Sequence, residues 1–91
     1  MSKGRVTEII DGDTFKVVGG KTIRLASVRA PEIGTKGGAK ARNDLENMIG
    51  DKTISYDTVA KSYGRNVAEV KLAGKSVNQG MRNKGYRNKG I

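Results

Sequence analysis

Val6, Ile9 and Ile10 are the apolar positions of residues 5–10, a run rich in β-branched side chains that predicts a first strand with Val6 and either Ile9 or Ile10 inward. Asp11, Gly12 and Asp13 interrupt it with turn chemistry. Residues 14–18 resume the extended pattern, Phe15 and Val17 sharing a face, and Gly19-Gly20 predicts a two-residue hairpin because both positions tolerate positive φ. Residues 21–28 read as a third strand, with Ile23, Leu25 and Ser27 on one face and Thr22, Arg24, Ala26 and Val28 on the other. Residues 29–38 hold the only proline, Pro31, and three glycines, and read as a loop. Ala41, Leu45, Met48 and Ile49 then fall at i, i+4, i+7 and i+8, which predicts a helix over 39–49 closed by Gly50.

Beyond the helix, residues 52–57 alternate with Ile54 and Tyr56 inward, and 58–64 read as a polar loop. Residues 65–72 form a strand carrying Val67, Val70 and Leu72, and Ala73-Gly74 turns the chain. Ser76 is a good N-cap for a short helix holding Val77 and Met81. The order is five short strands, one helix after the third and a second helix at the end. It predicts a mainly β chain with some α, laid out as a five-stranded OB-fold barrel with two short helices. At 91 residues the chain is one domain spanning 1–91.

Composition narrows the chemistry. Eighteen Lys and Arg against nine Asp and Glu give a formal charge of +9, which favours polyanions through release of condensed counterions. After Glu69 the chain has no acidic residue, while Lys71, Lys75, Arg82, Lys84, Arg87 and Lys89 are basic. The expected partner is nucleic acid, single-stranded DNA or RNA. A membrane is not expected, since no apolar run approaches the ~20 residues of a spanning helix. No leader opens the chain as given, and its location is left open between secreted and cytoplasmic. A monomer is expected. There is no His and no Cys, so acid–base chemistry falls to carboxylates, Lys, Tyr or metal-bound water.

Three segments could carry such chemistry. Asp11-Gly12-Asp13-Thr14 offers two hard carboxylates suited to Ca²⁺ or Mg²⁺, though alone it reads as an ordinary Asp-Gly turn. The segment from Arg24 to Glu32 joins a mid-strand guanidinium, whose fork of donors matches phosphate oxygens, to a carboxylate behind a stiffening proline. Alone, Arg24 reads as the cross-strand partner of Glu8 or Glu69. Tyr63-Gly64-Arg65 places a second arginine where a fifth strand begins, with a tyrosine able to hydrogen-bond or stack beside it.

Together, Asp-Gly-Asp-Thr, Arg24-Leu25 with Ala30-Pro31-Glu32, Tyr63-Gly64-Arg65 and Gly74-Lys75-Ser76-Val77-Asn78 resemble the staphylococcal (micrococcal) nuclease family in identity, order and spacing, over about residues 6–86. The resemblance implies an OB barrel and Ca²⁺-dependent hydrolysis of DNA or RNA phosphodiesters. It implies that Asp13 is a direct metal ligand and that Ala30 gives its backbone carbonyl to the metal. Glu32 matches the carboxylate that positions or deprotonates the attacking water, Arg24 and Arg65 the pair that clamps the phosphate, and Tyr63 a tyrosine that contacts nucleotide. One position departs from the pattern. Where the family has an aspartate ligand two residues before the proline, this chain has Arg29. Either Asp11 moves in as the substitute ligand, or Arg29 turns out to meet substrate, or Arg29 pairs with Asp13 and meets phosphate in place of metal. The alternative to a nuclease is a catalytically impaired, basic nucleic-acid-binding module.

Overall fold

The structure is a computed structural model that describes residues 2–87. Met1 and Lys89, the latter part of the basic run after Glu69, lie outside the described residues. Among these residues are β1 (Ser2–Asp11), β2 (Thr14–Val17), β3 (Thr22–Leu25), α1 (Gly38–Ile49), β4 (Thr53–Ser62), β5 (Arg65–Leu72), β6 (Lys75–Ser76) and α2 (Val77–Asn83). The strands β1, β2 and β3 form an antiparallel meander. β1 also pairs with β4, β4 with β5, and β3 closes onto β5 in parallel. Five strands thus form a ring consistent with the expected OB-type layout, and the two-residue β6 extends β5 beyond it. Phe15, Ile23, Leu25, Ala68 and Val70 are fully buried in its core, with Leu45 and Ile49 of α1 and Met81 of α2 packed onto them. No helix among the described residues is long and apolar enough to cross a membrane.

Several boundaries differ from the pattern-based expectation. β3 ends at Leu25, where its N–H donates to the Asp13 carbonyl and Ser27 turns left-handed at φ 57. The alternation therefore slips, so that Ala26 and Val28 are buried and Ser27 is exposed. β4 continues through residues 58–62, expected as loop, because they pair with β5 up to Ser62 opposite Arg65. This ribbon projects with Val59 exposed, so no apolar alternation marked it. On β5 the inward residues are Ala68 and Val70, while Val67 is half-buried on the other face; at β1, Ile9 rather than Ile10 enters the core. Gly50 caps α1 through its N–H to the Glu46 carbonyl, but the left-handed residue is Asp51.

Among the described residues one polar side chain is wholly enclosed. Asn78 of α2 donates from Nδ2 to the carbonyls of Ala26 and Ala68, both at 3.0 Å, and accepts from the Val70 N–H at 2.8 Å. It joins α2, β5 and the turn after β3, whose next residues form the wall of the cleft described below.

Candidate functional site

The turn between β1 and β2 sets the first side chains. Asp11 Oδ1 accepts from the Asp13 N–H at 3.1 Å, closing a local loop. Gly12 is required by space, since a Cβ there would lie 2.6 Å from the Ala41 Cβ and 2.7 Å from the Ala30 Cβ. The turn is wedged between α1 and the loop after β3. Asp13 is consequently only 6% exposed. Its Oδ1 accepts from the Thr14 hydroxyl at 2.8 Å and its Oδ2 from the Ala30 N–H at 3.2 Å. Burial first, and then neighbouring Asp13, push the Asp11 carboxyl up from 3.8 to about 6.

Arg24 Nη2 stands 3.7 Å from Asp13 Oδ2 and donates to the Val28 carbonyl at 3.3 Å. Its carboxylate partner is therefore Asp13, neither Glu8 nor Glu69. The parallel pairing of β3 with β5 sets Arg24 opposite Val67. Arg65, two residues earlier on β5, projects from that same outer face by the period of two. Strand pairing thus unites two arginines that lie far apart in sequence.

The loop after β3 supplies the opposite wall. The Thr35 hydroxyl and N–H both donate to the Glu32 carbonyl, at 2.5 and 3.0 Å, and Glu32 itself stays exposed. The Arg29 N–H donates to the Tyr86 carbonyl at 3.3 Å, and Val28 bridges Arg87. Tyr86 is tethered to α1 by its hydroxyl, which donates to Asp44 Oδ2 at 2.7 Å, beside the Lys40 ammonium at 3.1 Å from the same oxygen. The Tyr86 hydroxyl and then Lys40 hold the Asp44 carboxyl below its usual range; burial, then Asp44, raises the Tyr86 hydroxyl above its own.

These elements enclose a cleft of about 800 Å³. Asp11, Asp13, Arg24, Arg29, Ala30, Glu32 and Arg65 all line it, together with Pro31, Thr35, Gly85, Tyr86 and Arg87. Of the residues singled out in the sequence only Tyr63 stands apart. It caps the β4–β5 hairpin at φ 51 and is 95% exposed, because the ribbon carries it past the ring. Arg29 is exposed at the cleft, and among the described residues no ion pair joins it to Asp13. Sequence reasoning missed Tyr86 and Arg87 as lining residues. The only signal for Arg87 was its place in a basic stretch, and for Tyr86 there was none.

Among the described residues the cleft has four guanidiniums against three carboxylates, a cationic balance suited to a single phosphodiester. A sequence model of staphylococcal nuclease homologues matches residues 22–89, about three-quarters of the chain. The chain belongs to the staphylococcal nuclease family. That family is generally one of nucleases and is known as calcium-dependent. The matched span carries Arg24, Arg29, Glu32 and Arg65, whereas Asp11 and Asp13 precede it and join the site through the fold. No curated protein matches the chain.

Proposed function

We propose that the cleft seats one backbone phosphate of single-stranded DNA or RNA and hydrolyses its phosphodiester. The observation supporting this reading is the convergence of Asp13, Arg24, Glu32 and Arg65, drawn from four segments, on one cleft. Arg24 and Arg65 face the phosphate oxygens, where negative charge grows in the transition state. Arg24 is oriented beforehand by Asp13 and the Val28 carbonyl. Glu32, solvent-exposed at the rim, accepts the proton of the attacking water as the new P–O bond forms and the ester P–O bond breaks, the leaving sugar oxygen taking its proton from solvent.

Asp11, Asp13 and the Ala30 carbonyl would hold a divalent cation. The donors fit one: two carboxylates sit together, and the burial that raises the Asp11 pKa is relieved by a neighbouring positive charge. Among the described residues no three acidic side chains gather for a metal, so water and phosphate would have to supply further ligands, as suits a hard cation held by few carboxylates. When bound, such a cation would supply a lowered pKa for a bound water and charge to offset the phosphate.

Arg29 favours a second reading, a binding module without catalysis, because it brings a cation to the cleft where the family has an acid ligand. Incubation with single-stranded DNA and RNA in Ca²⁺, Mg²⁺ or chelator separates the two. Hydrolysis should require the cation and fall at least ~100-fold in Glu32→Ala and in Arg65→Ala. Salt-sensitive binding without cleavage under any cation would establish the module instead. Arg29→Asp should tighten Ca²⁺ binding by calorimetry, and an unchanged affinity would rule out Arg29 as the residue that weakens the metal site.

A further inference from the structure

Next to the cleft lies a second notch of about 320 Å³, lined by Ser27, Gln79, Arg82 and Arg87. Arg87 borders both spaces. We propose that this notch takes the phosphate adjacent to the one in the cleft, so that the ligand is a continuous single strand and not an isolated nucleotide. The proposal rests on the reading of the cleft as a phosphodiester site.

The notch is built for an anion. Among the described residues two guanidiniums and no carboxylate line it. Arg82 is fixed by Nη1 to the Ala26 carbonyl and by Nη2 to Gln79 Oε1, each at 3.2 Å. Gln79 is held in turn by Nε2 to Asn83 Oδ1 at 2.9 Å. A guanidinium has five N–H donors, so among the described residues Arg82 leaves three for a ligand. Among the described residues the Arg87 side chain has one hydrogen bond, Nε to the Arg82 carbonyl at 3.3 Å, which leaves its four other N–H donors for a ligand. Planar donor forks already oriented in this way match phosphate oxygens at low entropic cost.

The spacing fits one strand. Ser27 lines the notch and Arg29 the cleft, while Val28 between them is fully buried and bridged to Arg87. Two residues span at most ~7 Å, a step that successive phosphates of an extended strand can match. Among the described residues no aromatic side chain lines the notch, so it would hold the backbone without reading a base.

The test compares a single-stranded DNA octamer with a dinucleotide containing one phosphodiester, both bound in chelator to prevent turnover. Arg82→Gln and Gln79→Glu should each weaken the octamer about five-fold, and Arg82→Gln should lower the slope of log K against log salt by about 0.7, the value of one single-strand phosphate. Dinucleotide affinity should stay within a factor of about two of wild type, because one phosphate occupies only the cleft. Gln79 is exposed, so Gln79→Glu probes the notch without disturbing the core. Arg65→Gln should weaken both ligands. If both notch variants bind the octamer with wild-type affinity and salt slope while Arg65→Gln weakens both ligands, the notch proposal fails and the cleft stands. If Arg65→Gln changes neither ligand, the cleft reading fails and takes the notch with it.

Discussion

Replacing Asn78 with alanine should loosen the joint between the ring and the cleft wall, and the loss can be worked out group by group. The Ala26 carbonyl retains the Arg82 guanidinium at 3.2 Å, and the Ala68 carbonyl retains the Ala26 N–H at 2.9 Å. The Val70 N–H, which donates to Asn78 Oδ1 at 2.8 Å, is left in a dry interior without that acceptor. An orphaned buried donor costs about 1–3 kcal/mol, and the missing amide adds a small cavity, so a total near 2–3 kcal/mol is expected. A domain of this length has roughly 5–14 kcal/mol in all. With a urea m-value near ~1.2 kcal/mol/M, the unfolding midpoint should drop by about 2 M. Urea titration followed by far-UV circular dichroism measures it. A change below ~0.5 kcal/mol would refute the accounting, since it would mean the Val70 N–H had found another partner. Asn78→Asp should be at least as damaging at neutral pH, because a carboxylate satisfies Val70 but turns negative charge onto two carbonyl oxygens.

Two further perturbations concern charge. The folded-state pKa of Asp11, about 6, lies above its ordinary 3.8, so the stability it contributes is fully present below 3.8 and is lost as pH rises through 6. Asp11→Asn keeps the acceptor for the Asp13 N–H. In chelator it should flatten the stability profile between pH 4 and 6 and gain about 1 kcal/mol at pH 7, a figure discounted for a half-exposed carboxylate; an unaltered profile would contradict the assignment. Tyr86→Phe removes the first cause of the lowered Asp44 pKa, so NMR titration should find that carboxyl closer to 3.8. The Asp44 contribution is present above 3.8 and lost as pH falls through its lowered folded value, so the variant should be about 1 kcal/mol less stable at neutral pH and lose less in acid. Equal acid sensitivity of the two proteins would show that the hydroxyl does not set the Asp44 titration.

The parts of this molecule readable in sequence are those governed by local chemistry. Gly19 and Gly20 take positive φ at 97° and 83°, Ser76 caps α2 by accepting from the Gln79 N–H, and Ala41, Leu45 and Ile49 bury one helical face. Residues 58–62 were not legible because their strand character comes from pairing with β5 and not from a buried face. The slip after Leu25 was equally hidden, since it is set where the Leu25 and Ala26 N–H groups donate to the carbonyls of distant Asp13 and Ala68. At the site, motif spacing brought out Asp13, Arg24, Glu32 and Arg65, but their common cleft depends on the parallel β3–β5 closure. Tyr86 joins them through its hydroxyl on Asp44 and its carbonyl under Arg29, contacts that no spacing encodes.

The central claim, that one cleft outside the ring receives a nucleic-acid phosphate, is tested most directly by amide chemical-shift mapping with a single-stranded octamer in chelator. The account predicts the largest shifts at Asp13, Ala30, Glu32, Arg65 and Tyr86, with their size falling as salt rises. Saturating DNA that leaves those amides unmoved, while perturbing the exposed ribbon at residues 59–63 or no amide at all, would contradict it.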